Sequence, residues 1–248
     1  MPGRSDTAAV VDSARADTSF VGPSRTDTVR TGVRPVTATA TASATGIIAT
    51  LAMPLRRQAP PDTAGAPYGM AGAPAESPLG RVVADAVRAA TGAHVAIIET
   101  DAIRGDLEAG PLVREEAQAV LPAELRLFRL ELTGGQLHAV LEDVVGGPVP
   151  RAHVSGIIVW YDPTRPAGRR VLTAELTGGA PVSGDRLYTV AVTDRMAAGA
   201  GGFHTLRTAL LAEDTGILAR DALADYLGAL AQPVQRPEDA RLRAMRPR

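Results

Sequence analysis

Apolar residues recur at helical spacing at Leu79, Val82, Val83, Ala86, Val87 and Ala90, with Arg81, Asp85 and Arg88 on other faces. Just ahead of them stand Ser77, an N-cap residue, and Pro78, the ring that a first helical turn tolerates best. Gly92 supplies the C-terminal stop. The next run, His94 to Ile98, is short, β-branched and almost wholly apolar, as a strand buried on both faces would be. Helix followed by buried strand predicts a mixed α/β layer.

The same reading continues along the chain. Ile47 to Leu51 is expected to be a first strand, followed by a flexible Pro/Gly/Ala loop from Arg57 to Ala75. Asp101 to Val113 is punctuated by Gly105, Gly110 and Pro111 and reads as irregular, and Glu115 to Leu121 as a short helix closed by Pro122. Leu125 to Leu132 alternates apolar and charged residues like a half-solvated strand. Gly134 and Gly135 then turn the chain into a helix over Gln136 to Val145, with Leu137, Val140, Leu141 and Val144 on one face. A loop ending near Ser155 leads to an antiparallel pair, Gly156 to Tyr161 and Arg170 to Leu176, across a turn at Asp162 to Pro166. Leu187 to Thr193 is a further strand and Ala197 to Gly202 a glycine-alanine turn. Two helices, about Phe203 to Leu211 and Ile217 to Ala231, precede a basic, Pro-containing tail. Roughly five or six strands and five helices in no regular βαβ repeat predict the α+β class, a mixed sheet with packed helices.

Composition limits the domain count. Through about residue 43 the chain is Ala, Thr, Ser, Asp and Arg with few large apolar residues, too little burial to offset chain entropy. Residues 1–43 are therefore expected to be disordered, and 44–248 to form the folded domain. Net charge is −1 from 26 basic and 27 acidic residues, so no strong field attracts nucleic acid or an anionic membrane. All the basic residues are Arg, and Lys, Asn and Cys are absent. Disulfides, thiol nucleophiles and thiolate metal sites are thereby excluded. The apolar stretch Gly46 to Leu55 is too short to span a bilayer and lies too far in for an ordinary signal peptide.

Few residues carry obvious chemistry. The four histidines, His94, His138, His153 and His204, are scattered singly, without the spacing of a metal site. No GxSxG element is present, and Gly199 to Gly202 lacks both the Lys and Ser/Thr of a P-loop and the GxGxxG spacing. Arg104 is the strongest candidate: a guanidinium beyond a buried strand and next to a glycine can fork onto a phosphate or carboxylate. The competing reading is an ordinary ion pair with Asp101, Asp106 or Glu108.

From about Gly46 onward an ordered series of motifs resembles the C-terminal, substrate-recognition domain of the 5′-nucleotidase family, which includes UDP-sugar hydrolases and 2′,3′-cyclic phosphodiesterases. ESPLGRVVADAVRAATGAHVAII resembles that domain's first helix and strand, and IRGDLEAGPL the segment at its N-x-GGIR loop. LELTGGQLHAVLE, VSGIIVWYDPTRPAGRRV and LYTVAVTDRMAAGAGGF resemble its later strand–turn–helix, hairpin and glycine-rich turn.

The resemblance implies an α+β fold and a nucleotide or phosphate ligand. It places Arg104 at the family's phosphate contact and Glu99 where the family has Asn. The base-stacking positions fall at Ala123 and Arg195, the polar partner at Leu125 and the acid of the late turn at Gly201, with Phe203 beside it. Stacking rings would contribute about 1–3 kcal/mol per face. Family catalysis uses a dinuclear metal site in a separate metallophosphatase domain whose motifs this sequence lacks. No cofactor is expected in this chain itself, and divalent metals only through a separate metallophosphatase subunit. The expected role is a stand-alone, degenerate binding or accessory module. The alternative is the substrate-binding half of a split metal-dependent nucleotidase. Family analogy suggests a periplasmic or exported location.

Overall fold

The computed structural model describes residues 46–58 and 76–245. The low-complexity segment 1–43 and most of the Arg57–Ala75 loop lie outside the described residues.

The first helix forms where the pattern places it. Helix α1 (Pro78–Thr91) is capped by Ser77, whose hydroxyl accepts from the Gly80 amide, and ends at Gly92 in left-handed conformation with φ 63°. Strand β2 (Val95–Glu99) follows, buried throughout. It is interior to a five-stranded sheet with strand order β5 (Ala152–Ser155), β2, β8 (Leu187–Thr193), β4 (Arg126–Thr133) and β9 (Leu211–Leu218). β2 runs parallel to β8, and every other neighbouring pair in this sheet is antiparallel.

Alternate residues of β2 enter two separate cores, which explains its unbroken apolar run. Ala96 and Ile98 join Leu79, Val83 and Val87 of α1 and Leu223 and Leu227 of α5 (Ala219–Ala229). Val95 and Ile97 join Leu137, Val140, Leu141 and Val144 of α3 (Gly134–Val145) on the opposite face. That second core also includes β6 (Ile157–Tyr161) and β7 (Val171–Leu176), an antiparallel pair at the predicted positions. The domain is α+β, with helices on both faces of a mixed sheet.

Several elements differ from their sequence-based expectation. Gly134 and Gly135 form the first turn of α3, which is closed by a capping box between Thr133 and Gln136. A side chain at Gly134 would collide with the Ser183 backbone, so glycine there serves close packing. β5 replaces the expected loop before Ser155, and β3 (Gly110–Val113) pairs antiparallel with β1 (Ile47–Leu51) inside the supposedly irregular stretch. The predicted helix over Phe203 to Leu211 is only a 3-10 turn at His204–Thr208, followed by the largely exposed edge strand β9.

The tail is also structured. Residues Leu242–Ala244 form β10, which pairs parallel with β6. Arg241, just before it, forms a fork onto Asp85 of α1, with 2.8 Å from Nη1 to Oδ1 and from Nη2 to Oδ2. Its Nη1 also donates to the Val154 carbonyl of β5 at 3.0 Å. The backbone amides of Arg241 and Leu242 donate to Oε2 of Glu76 at 2.5 and 2.9 Å. Ser155 donates to Asp85 and accepts from Arg88, which completes the clasp. Burial opposes the Arg241 charge, but bonding to Asp85 and Asp239 outweighs it and raises the guanidinium pKa.

Beside the clasp lies His153, whose ring nitrogens find no hydrogen-bond partner among the described residues. A methyl group at Gly80 would overlap its ring, so helix and strand meet there at backbone distance. Burial, and then the fields of Arg81 and Arg241, push the imidazole pKa down to about 4. Burial raises the pKa of Glu76, partly offset by the Leu242 and Arg241 amides. Among the described residues no helix is long and apolar enough to cross a membrane.

These buried charges set two expected outcomes. Asp85→Ala leaves the Arg241 guanidinium buried without its carboxylate and is expected to lower stability by about 3–5 kcal/mol in urea unfolding. A loss under about 1 kcal/mol would show that the clasp is not a structural tie. His153 binds its proton more readily unfolded than folded, so its contribution is complete above about pH 6.5 and is lost as pH falls toward 4. The loss amounts to about 3 kcal/mol. Glu76 acts in the opposite sense, stability being lost as pH rises through its elevated pKa. Comparing urea midpoints of the wild type and His153→Leu across this range isolates the histidine. The variant should lose the acid-side decline, and an unchanged slope would contradict the assignment.

Candidate functional site

The parallel strands β2 and β8 both end on one edge of the central sheet, at Glu99 and Thr193. β5 begins on the same edge, with Ala152 opposite Glu99, and so does β4, with Leu127 opposite Thr193. The chain therefore gathers four segments there: the Thr100–Ala102 turn, Arg151, the short helix α4 (Asp194–Ala197) and the glycine turn Ala200–Gly202. Ends of parallel strands are a common place for ligand sites in α/β sheets.

Glu99 lies within this edge, only 4% exposed. The Thr193 hydroxyl donates to its carboxylate, 2.8 and 2.9 Å from the two oxygens. The same hydroxyl accepts from the Met196 amide at 3.2 Å and so caps α4. Burial raises the Glu99 pKa most, and Asp101 adds to the rise. Its own backbone amide, Thr193 and Arg195 counter it. Arg195 is exposed at the start of α4, with Nη2 3.9 Å from Oδ2 of Asp101.

Arg104 is placed differently from the ion-pair reading. Its amide donates to the Val120 carbonyl at 2.8 Å, beyond the end of α2 (Arg114–Ala119), and Ile103 before it is buried. The backbone is thus pinned while the side chain is exposed. Asp101 faces Arg195, and Asp106 and Glu108 both bond Arg56, with 2.5 Å from Arg56 Nη1 to Glu108 Oε1. Among the described residues no hydrogen bond or ion pair engages the Arg104 side chain.

Phe203 is 1% exposed and packs with Met196 and Leu206 in the second core, presenting no free ring face. Ala123 is exposed and Leu125 buried, so neither position offers a stacking ring. The structure therefore brings Glu99, Asp101 and Arg195 together, sets Arg104 beyond the strand end, and draws Phe203 inward. Arg151, Arg207 and His204 were not singled out as site residues from the sequence, yet they crowd the glycine turn. A Cβ built on Gly202 would lie 2.8 Å from Nη1 of Arg151. Only the glycines marked the place, because an isolated Arg has no periodic signature.

A dinuclear metal centre needs converging carboxylates and imidazoles. Among the described residues no group of three or more His, Asp or Glu is placed to hold a metal ion. His94 shares Nδ1 with the Thr189 hydroxyl at 2.7 Å, and His153 is enclosed behind α1. The residues described here do not fit that centre.

Comparison with known proteins agrees with this fold. The chain is 27% identical over 182 residues to the trifunctional nucleotide phosphoesterase protein YfkN of Bacillus subtilis, covering 68% of this chain and 12% of that protein. The structure matches that of a 5′-nucleotidase precursor from Thermus thermophilus with a TM-score of 0.69 and 26% identity, covering 82% of this chain and 40% of that one. The Haemophilus influenzae NAD nucleotidase shares the fold, with a TM-score of 0.64 at 18% identity, covering 80% of this chain and 38% of that one. The chain thus spans well under half the length of these relatives. The model of the 5′-nucleotidase C-terminal domain matches residues 63–208. The chain belongs to the 5′-nucleotidase C-terminal domain family.

Proposed function

We propose that this domain recognises a phosphate group through Arg104, with little selectivity for a nucleobase, and does not hydrolyse the ester by itself. The observation that carries the reading is the exposed Arg104 guanidinium, which no carboxylate pairs among the described residues, Asp106 and Glu108 bonding Arg56 instead. An oxyanion on a guanidinium fork forms short, charge-assisted bonds. The absence of an exposed ring at Ala123 and Arg195, together with the buried Phe203, supports weak discrimination between bases.

A second reading makes the domain the recognition half of a split phosphoesterase. It is favoured by the relatives, of whose length this chain spans only a part. Hydrolysis would then need a separate metallophosphatase subunit, and Arg104 and Arg195 would face the cleft between the two. Co-expression with such a subunit should raise manganese-dependent phosphatase activity above that of the subunit alone, and no increase would reject this reading.

Calorimetry tests the first proposal. Inorganic phosphate and AMP are expected to bind within about threefold of each other, adenosine not at all, and Arg104→Ala to weaken both anions at least tenfold, or about 1.4 kcal/mol. Unchanged affinity in Arg104→Ala would overturn the phosphate contact. AMP binding about a hundredfold tighter than phosphate would overturn the loss of base selectivity.

A further inference from the structure

The glycine turn on the ligand edge has an arrangement of its own. Gly199, Gly201 and Gly202 adopt left-handed φ values of 83°, 66° and 89°. A side chain at Gly199 would meet Cδ of Arg207 at 2.6 Å and Nδ1 of His204 at 3.6 Å, and one at Gly202 would meet Nη1 of Arg151 at 2.8 Å. The Arg151 guanidinium thus lies against one end of the turn, and the Arg207 side-chain stem and the His204 ring against the other. Arg151, His204 and Arg207 are all exposed.

None of these three side chains makes a hydrogen bond or close ion pair among the described residues. Burial raises the carboxyl pKa of Asp143 on α3, and the charges of Arg151 and His204 counter it. Arg151 is held in place by its backbone, with its amide donating to the Val144 carbonyl and its own carbonyl accepting from Thr100, both at 2.9 Å. Arg151 and Arg207 carry like charge with no carboxylate bonded to either among the described residues, Asp143 acting only through its field, and an oxyanion at the turn would be attracted to both. Glycine allows its oxygens to approach the main chain, and guanidinium forks match a tetrahedral phosphate.

We infer that Arg151, His204, Arg207 and the Gly199–Gly202 turn form a second anion subsite that takes a phosphate group. The inference stands on this geometry and not on the role of Arg104.

The test is an amide NMR titration of the full chain with inorganic phosphate, against sodium chloride at matched ionic strength. The Gly199, Gly201 and Gly202 resonances should shift saturably with phosphate. In the Arg151→Gln/Arg207→Gln double variant the same shifts should need at least tenfold more phosphate. Arg151→Lys keeps the charge but not the fork, and should show an intermediate loss even if the double variant folds poorly. Arg104→Ala should leave the glycine shifts intact. Absent saturable shifts, or shifts insensitive to both Arg151 variants, would overturn the subsite. Loss of the glycine shifts in Arg104→Ala would overturn its independence. Glycine shifts that persist while Arg104→Ala changes no binding anywhere would reject the Arg104 reading alone.

Discussion

The buried contact between Arg241 and Asp85 ties together parts of the chain that sequence order keeps far apart. A guanidinium removed from water is tolerable only when its hydrogen bonds are met, and here one side chain reaches Asp85 of α1, the Val154 carbonyl of β5 and the Asp239 carboxylate ahead of β10. Glu76 adds acceptors for the next two amides, so the tail enters the fold as a hydrogen-bonded element. Val154, whose carbonyl Arg241 holds, lies opposite Ile97 in the sheet. Through that register the clasp fixes β5 against β2 and therefore sets Arg151 beside the strand end that carries Glu99. Replacing such pairs by apolar residues is often neutral or better for stability, so the contact is best understood as fixing register.

At the sheet edge that carries Glu99, electrostatics are divided between dry and wet groups. Glu99 is enclosed and satisfied by Thr193, so its charge is directed inward. Arg104, Arg151, Arg195 and Arg207 are exposed. Asp101 approaches Arg195 only at 3.9 Å, a contact worth little in water. Asp101 and Asp194 stand among these cations, so a small anion meets a mixed local field in which the guanidinium groups supply the attraction. The edge offers charge and backbone but no exposed ring at the compared positions, which favours recognition of phosphate over base.

How far the sequence revealed this depends on the kind of signal. Helix α1 carried a cap, a proline, an apolar stripe and a terminal glycine, and these local cues agree with its tertiary packing. The two-sided burial of β2 showed in its unbroken apolar run. β5 was obscured because four residues are too few for a period, and β9 because an edge strand lacks an alternating buried face. The tail showed only as basic and Pro-containing, because its anchor is an ion pair over 156 residues of separation, which no local pattern marks. At the strand end the sequence singled out Arg104 and Glu99 as candidates but not who pairs with whom. The competition of Arg56 and Arg195 for the nearby acids is decided in three dimensions.

The central claim is that this sheet edge presents unpaired guanidinium groups to a phosphate. Anomalous diffraction from crystals soaked in tungstate, a tetrahedral dianion, tests it most directly. Peaks are expected within about 4–5 Å of the Arg104 guanidinium, one oxygen's reach beyond hydrogen-bond distance, and at the turn flanked by Arg151 and Arg207. Tungstate elsewhere only, with Arg104 closed onto Asp101 or Asp106, would contradict it.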